Sequence, residues 1–252
     1  MGATATTFQV QHLGSTVSTM DDVRQAALTG ADDGLVIYAD EQTGGRGRRG
    51  RSWASPTGNL YASLLLRPAL PQAELGLFSF ATALGLAQSL PASLAPERVK
   101  LKWPNDVLAD GAKVAGILLE SVNTPRGLAL IIGIGVNLAS YPANMPYPVT
   151  SLAQIGYSGA EVSPQQRLER LLPALDRQRQ ALEKGDFPSV RVAWLAQAAN
   201  LGSEIVVRLP SSEMTGHFMG IDEKGHLLLR RPTGILQKIA SGEVFAPFSG
   251  EG

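Results

Sequence analysis

The chain has 252 residues, of which 44% are hydrophobic and 17% charged, a composition that is typical of a globular protein and excludes extensive low-complexity disorder. Its 22 basic and 22 acidic residues balance, so no overall charge draws it to nucleic acid or to a membrane surface. The absence of cysteine excludes disulfides and thiolate chemistry, and no two of the three histidines have metal-ligand spacing.

The N-terminal segment is not expected to be a signal peptide. It lacks the charged n-region and the apolar h-region of a signal peptide. The most apolar windows of the chain are too short, or too interrupted by polar residues, to span a bilayer. We therefore expect a cytoplasmic protein that does not bind a membrane.

The first third of the sequence predicts helices and strands in alternation. Residues 19–30 predict a helix with Thr19 as its N-cap. Short buried strands are predicted over 34–40 and 59–68. An apolar helix follows over 72–90. Its predicted buried stripe consists of Leu77, Phe78, Ala81, Leu84 and Gln88.

Strands dominate the next part of the chain. Residues 98–103 alternate apolar and basic side chains, which is typical of a strand with one buried face. Two further strands are predicted over 113–121 and 128–137, and the short turn between them requires antiparallel pairing. Asn105-Asp106 has the composition of a turn.

Two helices and a group of short strands complete the chain. Ser163-Pro164 predicts the start of a helix that kinks or restarts near Pro173 and ends at Gly185, and a second helix is predicted over 187–199. Five short strands then follow within about fifty residues, a spacing that is typical of a small SH3-like barrel. These strands are predicted over 204–209, 214–221, 225–231, 235–239 and 242–247.

The fold class predicted from these elements is α+β. A mixed, mainly antiparallel sheet with flanking helices is expected over residues 1–199. A small SH3-like domain is expected over 200–252.

The stretch EQTGGRGRRGRSW (41–53) is unusually rich in arginine and glycine. Gly45 to Gly50 has the G-x-G-x-x-G spacing of a dinucleotide-binding turn, but no helix follows it and no acidic residue lies near position 70, so that interpretation fails. Two interpretations remain open. The arginines could bind nucleic acid, with Trp53 and Tyr61 stacking on bases, or the loop could close over a small anionic ligand.

A loop that closes over an anion needs partners elsewhere in the chain. The segment KLKWPNDVLADGAKVAGILLE (100–120) brings Lys102, Asn105, Asp106 and Lys113 to one hairpin. Taken singly, these residues are typical of a turn and of a solvent-facing start of a strand.

Five blocks in order resemble the biotin–protein ligase family: STMD (18–21), EQTGGRGRRGRSW (41–53), KWPNDV (102–107), KVAGILLE (113–120) and GIGVN (133–137). The resemblance spans the whole chain, because this family also ends in a small SH3-like domain. It implies a class II synthetase-like catalytic domain that uses biotin, ATP and Mg²⁺. Biotin is converted to biotinyl-5′-AMP and then acylates a lysine of the biotin carboxyl carrier domain of a biotin-dependent carboxylase.

The resemblance also implies roles for individual residues. Lys113 would bridge the biotin carboxylate and the α-phosphate, with Arg48 and Arg51 as the other catalytic cations. Mg²⁺ would arrive with ATP and lie near Asn105 and Asp106 rather than in a cage of side chains. The implied biotin-binding residues are Ser18, Thr19, Gln42, Arg46, Lys113 and Gly116. The implied ATP- and adenylate-binding residues are Arg48, Arg51, Trp53, Asn105, Asp106 and Asn137.

The biotin-binding Ser-Thr pair has a competing frame. Ser15-Thr16 precedes Ser18-Thr19 by three residues. Many relatives have Asn after the pair, where this chain has Met20. We favour Ser18-Thr19, because two aspartates and the predicted helix follow it directly.

The resemblance leaves a sister activity open. Lipoate–protein ligases and octanoyltransferases resemble the same domain, but their Gly-rich block ends in His-Asp, and no histidine lies between His12 and His217. Few residues precede the Ser-Thr pair, so the resemblance implies the single-function type that has no DNA-binding winged helix and does not bind DNA. An exposed strand beside the site could pair with the carrier domain or with a second copy, giving a homodimer.

Overall fold

The larger part of the fold is built on a seven-stranded mixed sheet. A computed structural model describes residues 6–245 of the chain. Strand order is β1-β2-β3-β7-β6-β5-β4, with β1 and β2 parallel and every other neighbouring pair antiparallel. The mixed, mainly antiparallel sheet is therefore confirmed. The strands are β1 (Gln9–Thr16), β2 (Leu35–Gln42), β3 (Leu60–Leu66), β4 (Val99–Lys102), β5 (Asp106–Ala109), β6 (Ala112–Thr124) and β7 (Gly127–Val136).

Two of these strands correct the sequence analysis. Strand β1 was missed, because it lies at the edge of the sheet with mostly exposed side chains and so has no run of apolar residues. The predicted turn at Asn105-Asp106 was wrong by one residue, because Asp106 already begins β5 and pairs with Lys102 and Gly116. The turn itself spans 103–105.

Four α-helices cover the two faces of this sheet. Helix α1 packs on one face through a small cluster that includes Met20, Val23 and Ile131. The other three contribute to the main core on the opposite face. Their bounds are α1 (Thr19–Leu28), α2 (Phe78–Ser89), α3 (Pro164–Glu183) and α4 (Phe187–Ala196).

The helix predictions need four corrections. Ser18, not Thr19, is the N-cap of α1, and the side chain of Ser18 makes no capping hydrogen bond. Helix α2 begins only at Phe78, after a 3₁₀ segment over Gln72–Leu77, and it is buried on nearly every side while Gln88 is exposed, so the predicted stripe was wrong. Helix α3 continues through Pro173, and α4 ends at Ala196.

The C-terminal part forms a second, five-stranded antiparallel sheet. Its order is β11-β10-β9-β8-β12, which places β11 and β12 at opposite edges, and no pairing between them closes a barrel within residues 6–245. All five predicted strands are present, although residues 246–247 of the last one lie outside the described residues. The strands are β8 (Glu204–Arg208), β9 (Glu213–Ile221), β10 (Leu227–Arg230), β11 (Leu236–Ile239) and β12 (Glu243–Phe245).

The part of the chain after α4 contacts β4 and the turn that follows β4. The indole nitrogen of Trp103 donates a hydrogen bond to the carbonyl of Gly225 (3.0 Å). Ala198 forms a parallel bridge with Leu101 of β4. Across residues 6–245, no helix combines the length and the apolarity that a membrane crossing requires.

Candidate active site

A cleft opens on the α1 face of the large sheet. Its floor contains three glycines, Gly116 of β6 and Gly133 and Gly135 of β7. A Cβ atom at Gly135 would lie 2.5 Å from the ring of Trp53, and one at Gly133 would lie 2.6 Å from the sulfur of Met20. Strand β7 therefore alternates small residues toward the cleft with the large Ile132, Ile134 and Val136 toward the main core.

All of the site residues predicted from the sequence line this cleft except Asn137. Those that line it are Ser18, Thr19, Gln42, Arg46, Arg48, Arg51, Trp53, Asn105, Asp106, Lys113 and Gly116. Of the two competing Ser-Thr frames, only Ser18-Thr19 reaches the cleft. The Thr16 hydroxyl instead donates a hydrogen bond to Asp22 (2.7 Å).

One end of the cleft is polar but uncharged, and we call it the neutral end. It comprises Ser18, Thr19, Gln42 and Ser63, which line the cleft, together with Ser55, which is hydrogen-bonded to Gln42. The Gln42 Oε1 atom accepts hydrogen bonds from the backbone N–H of Thr19 (2.9 Å) and from its hydroxyl (3.1 Å). The Gln42 Nε2 atom donates to Ser55 Oγ (2.9 Å). Ser63 Oγ lies 2.8 Å from Thr19 Oγ1. Four separate chain segments thus meet in one continuous chain of hydrogen bonds.

The other end is charged, and we call it the cationic end; it comprises Arg48, Arg51, Lys102 and Lys113 with the carboxylates of Asp106 and Glu243. Lys113 Nζ lies 2.6 Å from Asp106 Oδ1, and both side chains are mostly buried. The same ammonium lies 5.2 Å from the centre of the Trp53 ring and 5.8 Å from that of Tyr147. Lys113 is therefore held between a carboxylate and two aromatic rings.

Burial lowers the pKa of two of these cations. Burial lowers the pKa of Lys102, an effect that the nearby Asp106 carboxylate partly offsets. Burial also lowers the pKa of Arg48, with Arg49 contributing in the same direction, although a guanidinium keeps its charge in proteins. Lys102 Nζ lies over the ring of Phe245 at 5.2 Å, so this cation lies against an aromatic side chain of β12.

The arginine-rich loop is attached to the protein at two places. Arg46 pairs with Asp21 of α1 (2.7 Å) and with Glu120 of β6 (3.3 Å). Arg51 forms an ion pair with Glu243 at the start of β12. Arg48 Nη1 donates to the carbonyl of Gly242 (3.4 Å) and to the Asn105 side-chain oxygen (3.3 Å). The loop therefore lies across the cleft and reaches the C-terminal sheet.

The nucleic-acid interpretation of this loop is not supported by the geometry. Tyr61 is 1% exposed and its hydroxyl donates to the carbonyl of Pro56 (2.8 Å), so its ring cannot stack on a base. Trp53 lies over the glycine floor of the cleft rather than on an open surface. Arg46 and Arg51 face carboxylates of the protein itself.

Sequence comparison identifies two family matches. The family described as "Biotin/lipoate A/B protein ligase family" matches residues 13–137, and "Biotin protein ligase C terminal domain" matches residues 201–246. The biotin--[acetyl-CoA-carboxylase] ligase of Paracoccus denitrificans is 45% identical over 217 residues, which cover 83% of this chain and 89% of that protein. The chain belongs to the biotin–protein ligase family.

Solved structures agree with this membership. The biotin protein ligase of Aquifex aeolicus in complex with biotin and ATP superposes with a TM-score of 0.80 at 29% identity, covering 94% of this chain and 97% of that one. The Leishmania major biotin protein ligase in complex with biotinyl-5-AMP gives a TM-score of 0.59 at 26% identity, covering 92% of this chain and 98% of that one. The fold therefore resembles those of these ligases over 92–94% of the chain.

In this biotin–protein ligase fold, Asn137 lies outside the cleft. It is buried, and its Nδ2 atom donates to the carbonyl of Thr150 (3.0 Å). The backbone N–H of Leu152 donates to the Asn137 carbonyl (3.0 Å). The segment held in this way pairs with Lys113, because Thr150 N donates to the Lys113 carbonyl and Lys113 N donates to the Pro148 carbonyl (both 2.9 Å). Asn137 thus contacts the backbone around Lys113 rather than the cleft.

Several cleft residues were missed by the sequence analysis. Ser63 could have been recognised from the sequence, because it is the one non-aromatic side chain with a hydroxyl in the buried strand β3. No sequence pattern pointed to the other missed residues, which come from a loop (Tyr147) and from the second sheet (Glu243 and Phe245). Lys102 was placed near the site but received no role.

The cationic end of the cleft has side chains that suit Mg²⁺ as ligands. Within residues 6–245 there is no group of three or more His, Cys, Asp or Glu side chains that could form a metal cage. Asn105 and Asp106 both line the cleft, and the side-chain oxygen of Asn105 accepts a hydrogen bond from Arg48. One carboxylate beside nucleotide phosphates is a common arrangement for Mg²⁺, which keeps several waters and takes the rest of its ligands from the substrate. The donor set therefore fits a metal that is delivered with ATP.

Proposed function

We propose that the protein attaches biotin to a carrier lysine in two steps. In the first, a carboxylate oxygen of biotin attacks the α-phosphorus of ATP, the bond to the bridging oxygen breaks, and pyrophosphate leaves. In the second, the lysine amine attacks the acyl carbonyl of biotinyl-5′-AMP, the bond to AMP breaks, and the amine loses a proton as the amide forms. The observation that carries the proposal is that the neutral end and the cationic end share one cleft, with Lys113 at the cationic end.

The first step needs cations because two anions must approach each other. Carboxylate and phosphate repel, and cations fixed in position beforehand stabilise the charge of the transition state. Lys113 is proposed to contact both anions, and Arg48 and Arg51 to contact the phosphates. Mg²⁺, held near Asn105 and Asp106, would neutralise phosphate charge when bound. No covalent enzyme intermediate is required, so catalysis is by positioning and charge neutralisation.

The neutral end is proposed to bind the ureido head of biotin. A urea presents one acceptor oxygen and two N–H donors, and hydroxyl and carboxamide groups can pair with both kinds. Ser18, Thr19 and Gln42 supply such groups at the cleft surface. Gly116 is proposed to allow the thiophane ring to approach the sheet, and Arg46 to face the biotin side of the adenylate.

The adenylate is proposed to lie along the arginine-rich loop. The indole nitrogen of Trp53 is buried and has no hydrogen-bond partner among residues 6–245, which makes it available to a ligand in the cleft. Asn137 was assigned to ATP binding from the sequence. We propose instead that it acts indirectly, by holding in place the backbone segment that pairs with Lys113.

The carrier and the domain division complete the proposal. The P. denitrificans relative is named for acetyl-CoA carboxylase, which supports a biotin carboxyl carrier domain as the acceptor. In the part of the chain that the structure describes, strand β1 has an unpaired edge and leads directly to Ser18, so it could pair with a strand of the carrier or of a second copy. We assign catalysis to residues 1–199 and completion of the cationic end to residues 200–252. The requirement for ATP favours a cytoplasmic location.

The direct test is ATP–pyrophosphate exchange with biotin, lipoate, octanoate or no acid added. Exchange that appears only with biotin is expected, because only biotin has a head group that pairs with the neutral end. Exchange with lipoate alone would assign the protein to the sister activity. Exchange with none of the acids would refute the adenylation step.

A further inference from the structure

The neutral end contains a hydroxyl that none of the assigned roles uses, that of Ser63. This side chain is fully buried on β3 and lines the cleft. It sits in a strand whose other residues are Leu60, Tyr61, Ala62, Leu64, Leu65 and Leu66. A buried hydroxyl in such a strand is costly unless it forms hydrogen bonds, so its partners show what it does.

The direction of each hydrogen bond around Ser63 follows from the backbone groups at the two ends of this chain of hydrogen bonds, the N–H of Thr19 and the carbonyl of Trp53. The backbone N–H of Thr19 can only donate, so the Gln42 atom that faces it is the carbonyl oxygen. The Thr19 hydroxyl lies 3.1 Å from the same oxygen and must also donate to it. The single proton of Thr19 is then used. Ser63, 2.8 Å away, must therefore donate to Thr19.

The other end of the chain of hydrogen bonds, at Ser55, gives the same orientation of the Gln42 amide independently. The backbone carbonyl of Trp53 can only accept, so Ser55 Oγ, 2.9 Å away, donates to it. Ser55 must then accept from Gln42 Nε2 (2.9 Å), which again places the Gln42 oxygen toward Thr19. The orientation of the Gln42 amide is thus determined from both sides.

We propose that Ser63 is a positioning residue that determines specificity for the urea head group, an inference that rests on the proposed function. With its proton committed to Thr19, Ser63 leaves lone pairs on its own oxygen and on that of Thr19, while Gln42 keeps one amide hydrogen for a ligand. The cleft therefore presents both acceptors and a donor. An acid with an apolar head would leave these groups unpaired, which a polar site penalises strongly.

The test compares Ser63→Ala with Ser63→Thr and with Ser89→Ala. Ser89 is a matched control, because it is also buried and its hydroxyl donates within its own helix, to the carbonyl of Leu86 (2.8 Å). Steady-state pyrophosphate exchange gives kcat and KM for biotin and for ATP in each variant. Calorimetric titration gives the Kd for biotin.

In Ser63→Ala we expect KM and Kd for biotin to rise about tenfold, the cost of leaving polar partners unpaired. The kcat and the KM for ATP should stay within about twofold, because head-group binding is the same in the ground state and the transition state. Ser63→Thr keeps the hydroxyl and should largely restore biotin binding. Ser89→Ala should leave all these constants unchanged.

Two results would overturn the role of Ser63. One is an unchanged KM for biotin in Ser63→Ala, and the other is a rise in the KM for ATP of the same size, which would indicate general disruption of the fold. Failure of the proposed function is a separate outcome, since the unaltered protein would then show no biotin-dependent exchange at all.

Discussion

The neutral end and the cationic end of the cleft are built on different principles. At the neutral end, hydroxyls and one carboxamide bond to each other, and the direction of every hydrogen bond is determined. At the cationic end, Lys113 and Arg51 pair with Asp106 and Glu243, which are carboxylates of the protein itself. The first arrangement suits discrimination by hydrogen-bond pattern, while at the second end the proposed binding of a phosphate would require the cations to exchange partners.

This difference predicts different responses to the medium. The neutral end contains no titratable side chain, so binding of the biotin head should respond weakly to salt and pH. The cationic end relies on charge, which salt screens over about 10 Å at 0.1 M. The KM for ATP should therefore be the constant that changes with ionic strength. The predictions below use this contrast, from the largest expected effect to the smallest.

The largest effect is expected at the cationic end for Lys113→Ala. Losing the cation that is proposed to contact both reacting anions should lower the rate of adenylation by about 10³-fold, near the upper range for one electrostatic contact. Single-turnover formation of biotinyl-5′-AMP measures this rate. Lys100→Ala, on neighbouring strand β4 but outside the cleft lining, is the control and should behave like the unaltered protein. Turnover retained in Lys113→Ala would remove Lys113 from the mechanism.

Two arginines of the loop should differ although both approach the same carboxylate. Arg51 lines the cleft and pairs closely with Glu243, whereas Arg49 lies 3.9 Å from Glu243 and does not line the cleft. Arg51→Ala should raise the KM for ATP about 10- to 100-fold, the range for a hydrogen bond to a charged group. Arg49→Ala should change it less than threefold. Equal effects would mean that the loop acts only through its total charge.

Lys102 should make ATP binding dependent on pH. Because burial lowers its pKa from the usual 10.5, its cation is lost as pH rises at a lower pH than for an exposed lysine. The KM for ATP should accordingly rise on the alkaline side, by about five- to tenfold, while the KM for biotin stays flat.

Replacing Lys102 with arginine distinguishes loss of its charge from other effects of alkaline pH on the KM for ATP. In Lys102→Arg the charge persists, so the alkaline rise in the KM for ATP should disappear or move to higher pH. If the same alkaline rise remained in this variant, another group would be responsible. A parallel rise in the KM for biotin would contradict the separation of the two ends.

The smallest kinetic effect is expected for Asn137→Ala, because this residue lies outside the cleft. Its loss leaves the buried carbonyl of Thr150 without a donor, which should lower the free energy of unfolding by about 1–3 kcal/mol. The KM for ATP should change less than for Arg51→Ala. Chemical denaturation and exchange kinetics measure the two quantities. A rise in the KM for ATP without loss of stability would restore the direct ATP contact that the sequence suggested.

The sequence alone determined the order of the elements wherever local periodicity is strong. The alternation in β4, the strands β6 and β7, the five short C-terminal strands and the ordered motifs were all readable, and the motifs identified the family and eleven residues that line the cleft. Strand β1 and the all-round burial of α2 were not readable, because an edge strand has little apolar signal and the position of a helix within layers does not appear in its own pattern.

Only the tertiary structure decided which groups meet. The hydrogen bond between Thr19 and Ser63, the ion pair between Arg51 and Glu243, and the attachment of Asn137 to Thr150 each join segments that are separate in the chain. Local sequence patterns report which face of an element is buried. They do not report which distant side chain lies opposite, since that depends on how the elements pack.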